Sequence, residues 1–260
     1  MQLVVDVGNT ETVVGLTGSA PTEIQAHWRV STAVPRTVDE LSVLLRAFLE
    51  EVDGASASLT QGVVGSVVPA ATRLWTATME RIIPGGDIIV VDPSSDLPIR
   101  LDVDEPMTVG ADRIVNTLAA REMFGRDTIA VDLGTATTYD CITADGVFVG
   151  GVISPGLSAG LEWLGKRTAK LPLVELQPPE SVIGRRTETC IQSGVFFPVV
   201  DGVDRMVERI KDEWGRPDAL VVATGGFAAV LGPHLVSVDR IEPFLTLYGL
   251  ALAGVHLTGK

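Results

Sequence analysis

The chain has 260 residues, enough for one large domain or two small ones with a sizeable core. Hydrophobic residues make up 46%, yet the longest apolar stretches (62–68, 88–91 and 220–223) are strand-sized and well short of a membrane span. A formal net charge of −13 argues against a nucleic-acid surface, which needs Lys and Arg to neutralise phosphates; the only basic doublets are Lys166-Arg167 and Arg185-Arg186.

The chain enters a strand at once, over 2–6, with no basic region or small-residue cleavage site, so a cytoplasmic protein is expected. Strands follow at 13–16 and 24–30. Thr37 with Glu40 three residues later is a capping box, and Leu41, Leu44, Leu45, Phe48 and Leu49 recur at helical spacing to about Val52. A strand at 61–67 ends in Ser66-Val67-Val68-Pro69 and leads into a helix to about Ile82, then a strand at 87–91. Residues 93–109, rich in proline and acid, read as a long functional loop.

Gly110-Ala111-Asp112-Arg113 opens a helix to about Phe124. A strand at 128–132 and strands near 137–143 and 147–153 follow. Helices are predicted after Pro155 and around 188–212, a last strand at 219–223, and helical spacing from about 244 to 257. The strand–strand–strand–helix order occurs twice, an α/β pattern with mixed sheets. The expected division is 1–115 and 116–260.

Two segments repeat one message. Asp6-Val7-Gly8-Asn9-Thr10 and Asp132-Leu133-Gly134-Thr135-Ala136-Thr137-Thr138 each close an apolar strand with an Asp, a Gly two residues on, and a cluster of hydroxyl or amide side chains. Such a turn lets backbone N–H groups approach an anion, while the Asp can hold a cation or its waters. The pair suggests two related halves closing on the phosphates of one nucleotide. A hairpin would explain the first turn alone; so many hydroxyls at a buried strand end favour a ligand at the second.

Asp112, beside Gly110 at a helix start, reads either as a first-turn acid complementing the helix dipole or as a base for a substrate hydroxyl, with Arg113 pairing an anionic group. Thr224-Gly225-Gly226-Phe227-Ala228 could lay a ring or phosphate against backbone, or simply turn from strand to helix. Gly160 to Arg167 almost matches a P-loop, but Arg167 stands where Ser or Thr must reach magnesium. No strand precedes it, and Leu157, Leu161 and Leu164 look like a helix face. His27, His234 and His256 lack triad or zinc spacing, and Cys141 and Cys190 read as small core residues.

Taken in order, these motifs resemble the type III pantothenate kinases, within the acetate/sugar kinase–Hsp70–actin superfamily. The resemblance runs through Asp6 to Thr10, Arg29-x-x-Thr32, Thr37-x-Asp39-Glu40, Ser66 to Pro69, and Pro106-x-x-Val109-Gly110-Ala111-Asp112-Arg113. It continues through Asp132 to Thr138, Gly150-Gly151-x-Ile153-x-Pro155-Gly156, Gln192-Ser193-Gly194 and Thr224-Gly225-Gly226-x-Ala228.

The resemblance implies two actin-like (ribonuclease H-like) halves with a nucleotide cleft between them. The reaction implied is ATP-dependent phosphorylation of pantothenate to 4′-phosphopantothenate, the first step towards coenzyme A, by a homodimer. Asp6, Val7, Gly8, Asn9, Thr10, Glu11, Thr12 and Val13 would line the ATP phosphates, with Asp6 near Mg2+. Thr135, Gly225 and Gly226 would also meet ATP. Asp132 would bind the monovalent cation, K+ or NH4+. Asp112 would be the general base within a substrate loop of Gly110, Ala111, Asp112 and Arg113, and Thr187 would touch pantothenate. The chain departs from the family pattern at Val103, where Tyr is common, at Arg185-Arg186 in place of Lys-Asn, and at Cys190 in place of Ala. Two rivals to this reading are a non-catalytic regulatory relative and a superfamily kinase or phosphohydrolase with another acceptor.

Overall fold

A computed structural model describes residues 1–259. They form two compact units: Met1–Gly125 with Asp145–Phe148 and the C-terminal stretch from Phe244, and Arg126–Ala144 with Val149–Pro243. The first unit opens with strands β1 (Gln2–Val7), β2 (Glu11–Thr17) and β3 (Ile24–Ser31). Helices α1 (Val38–Glu50) and α2 (Ala55–Ser58), strand β4 (Gln61–Ser66), helix α3 (Pro69–Ile82) and strand β5 (Asp87–Val91) follow. The two-residue strand β6 (Arg100–Leu101), a 3-10 turn (Pro106–Thr108) and helix α4 (Ala111–Phe124) complete that run.

The second unit carries β7 (Thr128–Leu133), β8 (Ala136–Ile142), all but the first two residues of β9 (Val147–Pro155), α5 (Leu157–Arg167), α6 (Thr187–Trp214), β10 (Leu220–Thr224), α7 (Ala228–Leu231) and β11 (Arg240–Ile241). A final helix, α8 (Leu245–Thr258), belongs to the first unit.

The sheets show the duplication. One has strand order β3-β2-β1-β4-β5; the other, starting from its β9 side, runs β9-β8-β7-β10-β11, with β6 added beyond β9. In each copy the first strand pairs antiparallel with the second and parallel with the fourth. β1 is apolar on both faces because both are covered. Leu3, Val5 and Val7 join Leu41, Leu45, Trp75 and Met79, while Val4 joins Ile114, Leu118 and Leu250. The second unit has its own core, with Ile129, Val131, Leu133, Val221 and Ala223 of the sheet against Phe196, Val203 and Val207 of α6.

The expected division at 115/116 falls within α4, and the structure divides differently. α4 is one continuous helix, and α8 packs against it. α8 is buried almost all round, so it cannot rest on a surface. Gly249 lets its backbone approach α4 where a Cβ would strike the Val115 carbonyl, and Thr246 hydrogen-bonds the Asn116 side chain at 3.0 Å. The predicted capping box is present: Thr37 Oγ1 accepts the Glu40 N–H at 3.2 Å and the Glu40 carboxylate accepts the Thr37 N–H at 2.7 Å. The near-P-loop segment does follow a strand, β9, contrary to expectation. It nevertheless lies inside α5, where Lys166 pairs with Glu162 at 2.7 Å one turn back, so it forms no phosphate loop. Among the described residues no helix is long and apolar enough to cross a membrane.

Candidate active site

In the first unit, Asp6 lies at the end of β1, opposite Val13 of β2 and Gly65 of β4. The chain then turns at Gly8, whose N–H donates to the Glu11 carbonyl at 3.1 Å. Asn9, Thr10 and Glu11 are exposed at the tip, and Glu11 pairs with Arg29 at 2.8 Å. Val7 and Thr12 are buried, Thr12 sharing a hydrogen bond with Thr32 at 2.8 Å. At positions 7 and 12 the turn therefore offers a ligand backbone rather than side chain.

The start of α4, which carries Asp112, packs beside the same strand ends. The Val67 N–H, just past β4, donates to the Val7 carbonyl at 3.1 Å. A Cβ added at Gly110 would lie 3.2 Å from Val67 Cγ1, so the start of α4 packs directly on that crossing. Asp112 Oδ1 accepts the Arg113 N–H at 2.8 Å. It fills the space a side chain at Gly110 would need: a Cβ there collides with this carboxylate oxygen. Burial pushes the Asp112 pKa above its ordinary value, opposed in part by the Arg113 N–H and the Arg113 charge. Glycine at 110 thus makes room for a carboxyl group partly withdrawn from water, the environment that gives an acid useful basicity.

In the second unit, two glycines, Gly134 and Gly225, stand against the other Asp, and a third, Gly156, packs on the turn that follows it. Asp132 stands opposite Thr138 of β8 and Thr224 of β10. Gly134 N–H donates to the Ala136 carbonyl at 3.0 Å, closing the turn, and Thr135 is exposed at its tip. Gly225 has φ +91°, a conformation that favours glycine, and a Cβ there would collide with Asp132 Oδ1 and crowd the Leu133 backbone. Gly156 N–H donates to the Thr135 carbonyl at 3.2 Å, with no room for a side chain against the backbone of 134–135. Thr224 Oγ1 is buried without a hydrogen-bond partner. An orphan hydroxyl beside a carboxylate, under a glycine cradle, fits a polar ligand. Thr187, the first residue of α6, is exposed, as are Arg185, Arg186 and Cys190.

The residues expected at the site are therefore gathered in two groups. Asp6 to Val13 and Gly110 to Arg113 lie in the first unit; Asp132, Thr135, Thr187, Gly225 and Gly226 lie in the second. Gly156 and Thr224 stood in the quoted motifs without a role. Only the fold shows that Gly156 seats the second turn and that the Thr224 hydroxyl is left over.

A duplicated mixed sheet with an Asp–x–Gly turn at the same strand end of each copy defines the actin-like class of ATPase and sugar-kinase folds. Solved structures agree on that fold. A structure from Campylobacter jejuni described as a Baf family transcriptional activator aligns with TM-score 0.59 at 16% identity, covering 99% of this chain and 98% of that one. A ROK family glucokinase from Streptomyces griseus aligns with TM-score 0.50 at 13% identity, covering 100% and 99%. Sequence goes further. Residues 2–209 match the family described as type III pantothenate kinase. A type III pantothenate kinase from Moorella thermoacetica is 41% identical over 255 residues, 97% of this chain and 98% of the relative. The chain belongs to the type III pantothenate kinase family.

Proposed function

We propose that the protein transfers the γ-phosphoryl group of ATP to the primary hydroxyl of pantothenate, giving 4′-phosphopantothenate and ADP. The observation that carries this reading is Asp112: a partly buried carboxyl group with a raised pKa, on the first turn of a helix whose start packs beside Val67, the residue that bonds to the Asp6 turn at Val7. Family membership names the acceptor.

Phosphoryl transfer asks a protein mainly for positioning and for neutralisation of charge. Asp112 accepts the hydroxyl proton and orients the oxygen for attack. Arg113, its neighbour on the first turn of α4, pairs with the acceptor's carboxylate. The Asn9–Thr10 turn and the cradle of Gly156, Gly225 and Thr224 hold phosphate and nucleoside through backbone and hydroxyl groups.

Among the described residues no three His, Cys, Asp or Glu side chains cluster to hold a metal. Mg2+ would be held by Asp6 together with phosphates and water, the usual arrangement for this ion. The Asp132 carboxylate, under the Gly225 cradle, suits a monovalent cation such as K+ or NH4+. Bound cations supply positive charge to the transferring phosphate.

The assembly is proposed to be a homodimer that brings Thr187 to substrate. Leu173, Val182 and Ile183 of the second unit are 75%, 67% and 83% exposed, apolar surface that a second copy would cover.

A coupled assay with ATP, magnesium and potassium tests the reading, comparing pantothenate with small sugars and with water. ADP release that depends on pantothenate supports it. Release without pantothenate points to another acceptor, and none with any acceptor points to a regulatory protein.

A further inference from the structure

Phe148 is 1% exposed, and its ring lies against the guanidinium of Arg113, with Cζ 4.9 Å from the ring centroid. Its carbonyl accepts the Asp102 N–H at 2.9 Å, where β6 pairs with the start of β9 and Leu101 stands opposite Phe148. One buried residue therefore touches both ends of segment 102–113, Asp102 through its backbone and Arg113 through its ring. Between those ends the only regular structure before α4 is the turn at Pro106–Thr108, and Met107 is 67% exposed. Such a segment takes its geometry from its anchors.

The anchor itself is fixed. Gly146 accepts the Arg100 N–H at 3.0 Å, and the Arg121 side chain packs where a Gly146 Cβ would stand. An aromatic face attracts a guanidinium electrostatically and restricts its plane, more strongly when both are withdrawn from water. Bidentate pairing with a carboxylate depends on that plane.

We propose that Phe148 is a positioning residue for the phosphoryl acceptor: its ring sets the orientation in which Arg113 pairs with the acceptor's carboxylate. This rests on the role given to Arg113 above. Phe148 touches no substrate in this account and acts only through the guanidinium.

The test places difluorinated and then trifluorinated phenylalanine at position 148 alone, draining the ring face of negative potential at nearly constant shape. With Arg113 present, KM for pantothenate should climb stepwise, by roughly 5- to 30-fold once the attraction is lost. The kcat and the KM for ATP should hold, and in an Arg113→Ala background the series should be flat. A flat series with Arg113 intact overturns the proposal, as does an equal slope without Arg113. Solvent exchange of the Arg113 Nε–H, followed by NMR in the protein alone, separates the two layers. Exchange that accelerates along the series supports the positioning even if pantothenate is not turned over, a result that would overturn the substrate reading instead. Unchanged exchange overturns the positioning whatever the substrate.

Discussion

The two Asp–x–Gly turns share topology and differ in what covers them. After Asp6 the chain bends at Gly8 into an exposed tip, and the parallel neighbour β4 moves on quickly: Val67, two residues past Gly65, already donates to Val7. After Asp132 the parallel neighbour β10 needs one residue more. Phe227, three residues past Thr224, donates to Leu133, and the extra residue is Gly225 with its positive φ, folded over Asp132. Gly156 closes the other side of that turn. The first copy is left open and carries Asp112 beside it; the second is roofed by glycine. On the proposed reading, the open turn of the first unit serves the chemistry and the roofed turn of the second holds a ligand.

If that division is right, the largest effect comes from Asp112, which has no counterpart in the roofed copy. Asp112→Asn keeps the oxygen that accepts the Arg113 N–H and removes the base. The kcat should fall by on the order of 10²–10⁴, the usual worth of a positioned general base, while the KM for ATP stays close to wild type. Near-normal turnover would end the assignment.

Steric tolerance should differ next. Gly225→Ala forces a side chain into positive φ and against both Asp132 and the Leu133 backbone. Gly8→Ala meets only the Glu11 carbonyl, 2.9 Å away, and Gly8 has no positive φ. Strain of roughly 1–3 kcal/mol at such a position predicts that Gly225→Ala weakens ATP binding about tenfold more than Gly8→Ala. Isothermal titration with a non-hydrolysable ATP analogue decides it, and equal losses would mean the roof is incidental. Gly110→Ala sharpens the other side of the comparison. Its Cβ displaces a flexible carboxylate rather than backbone, so kcat should drop about tenfold with little change in melting temperature.

Much of this was legible in the chain. Alternating and helical periodicities located the longer strands and helices because each of them buries one or both faces, while the short elements α2, β6, α7 and β11 went unseen. The Asp–x–Gly turns stood out because hydroxyl and amide residues at the end of a buried strand need a partner. The division of the molecule was not legible. α8 is apolar all round, which says that it is buried but not against what; its docking depends on Gly249 meeting Val115, 134 residues earlier in the sequence. β6 was lost in the proline-rich loop, since two residues carry no periodicity and its partner is the start of β9. Phe148 looked like any strand residue until the fold set it beside Arg113. Contacts of this kind join residues whose local patterns are silent about each other.

The smallest predicted effect bears on what a withdrawn carboxyl group does to the protein that holds it. Burial raises the folded-state pKa of Asp112 above its unfolded value. The native protein then binds that proton more tightly than the unfolded chain does, and stability falls as pH rises through the folded pKa. Below the unfolded pKa the group is neutral in both states and the penalty is absent. At neutral pH the native state carries an ionised, poorly hydrated carboxylate. Asp112→Asn should therefore melt higher than wild type at pH 7, with the gap closing as pH is lowered through the raised pKa. In the same window wild-type kcat/KM should lose its base and decline. Thermal melts of both proteins across pH, set beside the pH–rate profile, check the linkage. A variant that melts lower at neutral pH would show that local contacts outweigh the burial, and would remove the reason for an elevated pKa in the open copy of the turn.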